Sequence, residues 1–526
     1  MPSPRFVPAG TFHSLLLALA TLAPAPLLAA SAVVGTGTPA SCTEAAFDAG
    51  ITAVNSGGGT LSFDCGPEPH LILVTAQRAL AGPIVIDGGG RITLSGGLAT
   101  RIFWVQDQAE VELRDIVLTH GRSSAGPGGA VLVTGGGAPA DTVLVLNRAA
   151  VRESTSSFWG GGIAASNAEV QLLLSSITGN ETNGGGGGIN LNVGVLVLFE
   201  AEIADNLSGG SGGGVEFWTG ELYMNRSVVD RNTAENAATP PFGGGMSLRD
   251  LSVASIEGSR FAGNWSRSSG GGLHVWGTTE LFLLQSTFSA NMVFEDVGGG
   301  MAIFAPALVQ ARDITVEGNR AGGGGGIEVT GALNLANATL SNNLSVAAGG
   351  GALRNSGVVT LHHVTIAGNV ALNSGGGVHQ FAAGGIELTN VLFAGNLDVL
   401  GNASDCFFQQ APSQFQFSLW PQATCGSSAA NGNHPNTVVD LPRLAISCNG
   451  APGQEQTMTH DLPAGAAVDN GACILPGLAA DQRGVARPQG PACDIGAVEK
   501  STPSCNGLFR DGFERSTTLA WSDSTL

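Results

Sequence analysis

The stretch that decides the fold begins Gly186-Gly187-Gly188-Ile189-Asn190-Leu191, closes its first pass at Ile203-Ala204-Asp205-Asn206, and starts again at Gly212-Gly213-Gly214-Val215-Glu216-Phe217. The Gly-Gly-Gly-apolar step recurs with its apolar residue at Ile163, Ile189, Val215, Met246, Leu273, Met301, Ile327, Ala352 and Val378, at spacings of 26, 26, 31, 27, 28, 26, 25 and 26 residues. A second step, apolar-x-x-Asn, keeps phase with the first and ends at Asn180, Asn206, Asn232, Asn264, Asn291, Asn319, Asn343, Asn369 and Asn396. A fixed period of this length marks stacked supersecondary units, each burying its apolar face against its neighbours.

Alternation identifies the unit. Apolar residues fall at every second position after each glycine run, as in Val215 and Phe217, Leu273 and Val275, or Ile327 and Val329, and a second alternating stretch follows, such as Leu222 and Met224 or Leu281 and Leu283. Period two is the signature of a half-buried strand. A third short strand leads into the Asn step, and nothing between has helical spacing, so each repeat reads as one coil of an all-β, right-handed parallel β-helix. Coils stack at the strand spacing, which places residues one repeat apart directly above one another. Glycine suits tight corners because it tolerates positive φ. Asn suits them too, and its amide both donates and accepts along a stack, so the nine Asn residues are expected to form a structural ladder.

Working outward, the repeat array spans residues 71–400 and holds about twelve three-strand coils, about 60 Å of stack. Residues 1–32 read as an export signal, with Arg5, an apolar stretch from Leu15 to Leu22, and the small-residue site Ala30-Ser31-Ala32. Residues 33–70 form an N-terminal cap in which Ser41-Cys42-Thr43-Glu44 has the form of a capping box ahead of Phe47, Ile51 and Val54 at helical spacing. Residues 401–500 form a C-terminal cap and 501–526 a tail. The eight cysteines lie only at the ends, at Cys42 and Cys65 and then at Cys406, Cys425, Cys448, Cys473, Cys493 and Cys505. An even number in an exported chain points to disulfides, and the last six admit fifteen pairings among which the sequence does not choose.

Composition narrows the function. The 526 residues include 80 glycines, only 12% are charged, and 22 basic against 41 acidic side chains leave a net charge of -19. That balance lacks the basic surface that nucleic acid or anionic lipid requires. The only lysine is Lys500, which removes lysine nucleophiles and phosphate cradles from the array. No later segment is long enough to span a bilayer.

The repeats, several of them written Phe-x-x-Asn, resemble those of the polymorphic outer-membrane proteins and of the wider secreted β-helix proteins of bacteria. Near the end, Ala467-Val468-Asp469, Asp481-Gln482-Arg483-Gly484, Arg487-Pro488 and Asp494-Ile495-Gly496-Ala497-Val498-Glu499 are similar to a choice-of-anchor domain. Leu508-Phe509-Arg510-Asp511-Gly512-Phe513-Glu514 resembles a C-terminal tag of secreted gammaproteobacterial proteins. The resemblance implies surface or extracellular display and assigns no activity. No C-terminal membrane barrel of the autotransporter kind is present in the sequence, so self-secretion by that route is not implied.

Most apparent chemical motifs dissolve into the repeat. Gly209-Gly210-Ser211-Gly212-Gly213 matches a nucleophile elbow in letters only, because no helix follows. His362, His363 and His379 fall on different strands, so no metal site and no cofactor are expected. Sequons such as Asn264-Trp265-Ser266 follow from the Asn corner. Two outward rows remain. The row just after the apolar step reads Ala164, Asn190, Glu216, Ser247, His274, Ala302, Glu328, Leu353, His379, and its acids stand far apart. The next reads Ser166, Asn192, Trp218, Arg249, Trp276, Phe304, Thr330, Asn355, Phe381, which predicts stacked outward aromatics with Arg249 between them. Either a corner insertion near Ala234 to Phe242 folds over this row, or it binds a ligand. In the second case the partner is a polysaccharide or cell-surface glycan stacking on Trp218, Trp276 and Phe304, with Arg249, Glu216 and His274 supplying hydrogen bonds. The function expected is a secreted, non-catalytic, adhesin-like binding or structural protein. A polysaccharide lyase or glycoside hydrolase on the same scaffold is the alternative.

Overall fold

The computed structural model describes residues 30–137, 141–236, 238–421, 423–426, 428–446, 457–473 and 478–500. The export signal up to residue 29, the tail from 501, and Cys448 and Cys505 lie outside them. The chain winds as an all-β parallel solenoid of about 15 coils. The first rungs pair Ala30–Val34 with Gly59–Phe63 and that strand with Ile84–Ser95, and the last pairs Gly385–Ala394 with Gln414–Gln416. The expectation of about twelve coils fell short because the outermost coils lack both repeat steps. The strand Ile84–Ser95, for example, shifts register between Asp87 and Ile92 against Glu110–Thr119.

Eleven of the coils carry a further short strand segment beside the three expected. The extra one follows the Asn corner as a two-residue strand, and these pieces form their own parallel sheet from Arg122–Ser123 to Leu397–Asp398. Segments of two residues are too short for alternation to reveal them. The glycine run ahead of each first strand turns the corner. Gly212 adopts φ +69°, a conformation that costs residues other than glycine energy.

One step was misplaced by a residue in the sequence reading. Ile327 pairs with Leu353, not Ala352. Ala352 stands in the slot of the third glycine of the run and is fully buried, so its methyl group imitated the apolar step. The correct row after the step therefore contains Arg354 in place of Leu353, and the next contains Ser356 in place of Asn355.

The interior is a set of columns. Phe261 stacks on Phe288 with ring centres 4.8 Å apart and planes 8° from parallel. Beside the apolar columns runs the column of nine buried asparagines. At Asn291, Oδ1 accepts the backbone N–H of Asn264 at 3.0 Å and its side-chain amide at 2.9 Å, while Nδ2 donates to Phe261 O at 2.9 Å and Asn319 Oδ1 at 3.0 Å. The column starts with Ser154 N–H donating to Asn180 Oδ1 and ends with Asn396 Nδ2 donating to buried Asp405.

The N-terminal end is lidded by a helix, Glu44–Gly57, which buries Phe47, Ile51 and Val54. Its N-cap is Thr43, whose hydroxyl accepts Ala46 N–H, and not Ser41, which lies in the preceding 3-10 turn. Glu44 turns away from the expected capping box to bind Thr75 and Arg78. Disulfides join Cys42 to Cys65, Cys406 to Cys425 and Cys473 to Cys493. The final described segment folds back across the outer side of the third strands. Gln482 donates to Ile314 O and accepts from Thr339, Asn390 exchanges bonds with Ala472, and Ala497 N–H donates to Thr365. Arg487 and Glu499 form an ion pair at 2.6 Å with both side chains buried. Among the described residues no helix is long and apolar enough to cross a membrane.

Candidate functional site

The first strand of each coil presents its two outward positions to the same side. Pairing is residue for residue from Val215 through Met246, Leu273, Met301, Ile327, Leu353 and Val378 to Cys406, without a register shift. The residue after the apolar step was expected to face solvent. It does not: Asn190, Glu216, Ser247, His274, Glu328 and His379 are all buried. The glycine corner of the preceding coil folds back over this row because its residues have little or no side chain. A Cβ on Gly185 would overlap the Glu216 carboxylate, and one on Gly349 would overlap the His379 ring. Where the corner residue is large it packs on the row instead, as Phe242 stacks on His274 at 4.8 Å and 15°. The insertion that ends at Phe242 thus covers His274 and leaves the second outward row at the surface.

Burial sets the electrostatics of the covered row. Glu216 is pushed up to about 7 by desolvation, against the opposing hydrogen bonds from Trp218 and Asn190, the latter 2.9 Å long. Glu328 is likewise pushed up to about 7 by desolvation, with Arg354 opposing at 3.0 Å. His274 is pushed down to about 3 by burial and is neutral, boxed by Phe242, Trp276 and Phe304. Such carboxyl values suit proton transfer near neutrality. However, Glu216 and Glu328 stand four coils apart, about 19 Å at the strand spacing, which is far beyond a glycosidase pair.

The second outward row is different. Trp218 is 41% exposed, and Arg249, Trp276 and Phe304 are half-buried in the next three coils. The Arg249 guanidinium lies over the Trp218 ring at 5.0 Å and over the Trp276 ring at 4.1 Å, so cation and rings form one stack along the solenoid axis. Its Nε donates to Asp250 Oδ2 at 3.0 Å. On the other side of Trp218 the preceding coil carries the exposed Asn192.

The remaining sequence candidates do not assemble. His362 and His363 sit at the corner between the second and third strands, where His363 pairs with Asn390 at 2.9 Å, and His379 belongs to the covered row. Among the described residues no group of three His, Cys, Asp or Glu side chains could hold a metal ion. A cleft of about 590 Å³ runs between the corners at Glu317 to Gly395 and the segment Val439 to Leu444. Its histidine, His460, has both ring nitrogens engaged, by Ser341 and Pro442. Sequence reasoning missed Arg354, through the shifted step, and the exposed aromatics Phe407, Phe158 and Trp159. The last two lie in a corner, where alternation carries no information, but their size within a glycine run was visible. No protein-family model, curated protein or solved structure matches this chain.

Proposed function

We propose that this protein is a non-catalytic, adhesin-like solenoid, exported and displayed outside the cell or on its surface, that binds glycan through the Trp218, Arg249, Trp276 and Phe304 row. The observation that carries the reading is an arginine held between two tryptophans on the outside of the stack, since flat rings at a surface are the usual platform for sugar faces. Arg249 fills the gap between the rings, so what the row offers is the exposed part of Trp218, the ring edges and the guanidinium rim. Disulfides at both ends support an oxidising location. The resemblance of the repeats to polymorphic outer-membrane proteins, and of the Asp481 to Glu499 motifs to an anchor domain, supports display. In the structure Gln482 of those motifs bonds to Thr339 and Ile314 of the solenoid.

The test is a glycan array with labelled protein and Trp218→Ala. Binding by the wild type, lost in a variant of unchanged melting temperature, supports the row. Absence of any glycan signal sinks the reading. The carbohydrate-active alternative rests on Glu216 titrating near neutrality beside Trp218. New reducing ends or unsaturated products from any array hit would establish it.

A further inference from the structure

The same face carries a second cluster farther along the stack. Arg354 lies over the Phe381 ring at 4.8 Å, and His379 contacts Phe381 at 4.7 Å and Phe407 at 4.8 Å. Phe407 occupies the row that is covered elsewhere, yet it is 40% exposed. The corner residue that would roof it is Ser374, too small to do so. Because the register is unbroken from Val215 to Cys406, this cluster is in line with Trp218 along the axis. Six coils separate Trp218 from Phe381, about 29 Å at the strand spacing. Between the aromatic groups the row carries Thr330 and Ser356, both half-exposed, so the interval is a low floor of hydroxyls with no bulky or charged side chain in that row.

We propose that Arg354, Phe381 and Phe407 form a second contact site of the same track, and that the ligand is an extended, neutral polysaccharide chain lying parallel to the solenoid axis. The proposal rests on the glycan-binding reading above and adds the ligand's length, direction and charge. An extended β-1,4-linked pyranose chain advances by close to one coil's rise per residue, so one chain reaches both clusters. Neutrality follows from the charges. Arg249 is paired with Asp250, and the chain's net charge of -19 repels a polyanion. Two weak sites joined by one ligand reinforce each other through effective concentration, without new contacts.

The test uses titration calorimetry with β-1,4-linked gluco-, manno- and xylo-oligosaccharides of two to ten residues, and polygalacturonate as the charged control. The expected result is at least a tenfold gain in affinity from trisaccharide to octasaccharide in one neutral ladder. Phe381→Ala with Phe407→Ala should abolish that gain and leave trisaccharide binding unchanged, whereas Trp218→Ala should weaken both. Should the alanine pair melt early, Phe381→Leu with Phe407→Leu keeps the volume and removes the flat rings. Length-independent binding, an unaffected octasaccharide in the leucine pair, or preference for polygalacturonate overturns the track while glycan binding stands. No binding by any oligosaccharide overturns the track, and an empty glycan array overturns the parent reading as well.

Discussion

Replacing Asn291 by alanine removes four hydrogen bonds at the middle of the asparagine column, and the structure says which of them matter. Asn264 Nδ2 keeps Val229 O as an acceptor, and Asn319 Oδ1 keeps the Asn291 backbone N–H as a donor. The Phe261 carbonyl keeps the ladder partner that its parallel pairing with the next coil provides, so the group left without a partner is the Asn264 backbone N–H, in a fully buried corner. An orphaned buried polar group costs about 1 to 3 kcal/mol, which is the expected destabilisation of the stack. If the coils from Gly59 to Gln416 melt together, the entropy of that many residues converts the loss into a drop of about 1 to 4 °C in Tm. Calorimetry measures the drop, and hydrogen exchange at the Asn264 amide locates it. Asn180→Ala, at the start of the column, leaves the Ser154 N–H without its acceptor in the same way and should cost about as much. Unchanged melting for Asn291→Ala, with Asn264 still protected, would refute the reasoning.

Four further outcomes are expected. Stability should fall as pH rises from about 4.5 through about 7, because burial holds the Glu216 and Glu328 carboxyls protonated in the fold well above their ordinary range. Glu216→Gln should shrink that limb in a Tm-versus-pH series; an identical series would remove Glu216 as its cause. His274 acts in the opposite sense, binding its proton in the unfolded chain near 6.5 and in the fold only near 3, so His274→Phe should lessen the loss of stability below pH 6.5. Gly185→Ala should destabilise the wild type and cost less in a Glu216→Ala background, since the added methyl overlaps that carboxylate; additive melting shifts would show that the two do not meet. Reduction should open the segments around Cys42 and after Asp405 to protease and spare the coils between, which main-chain pairing and apolar columns hold together. Rapid cutting between residues 160 and 396 would contradict this.

The sequence by itself determined the period, the parallel strands and the side of the strand on which each residue of the coil lies. A period of 26 with two in-phase steps has one economical solution, and alternation assigns inside and outside without reference to neighbours. What the alternation does not encode is the cover over an outward residue. That cover comes from the corner of the preceding coil, about thirty residues away, so Glu216 and His274 look equally outward in sequence as Trp218 and Trp276 do. Only the folded stack places Gly185 on the first and Phe242 on the second while leaving the tryptophan row open. The number of coils and the cap at Thr43 were likewise decided in three dimensions, because irregular end coils and a half-turn of backbone leave no periodic mark. The same holds for Arg354. Ala352 filled a glycine slot with a methyl group, and only the strand register, fixed by hydrogen bonds to the coils on either side, shows which residue stands above Glu328.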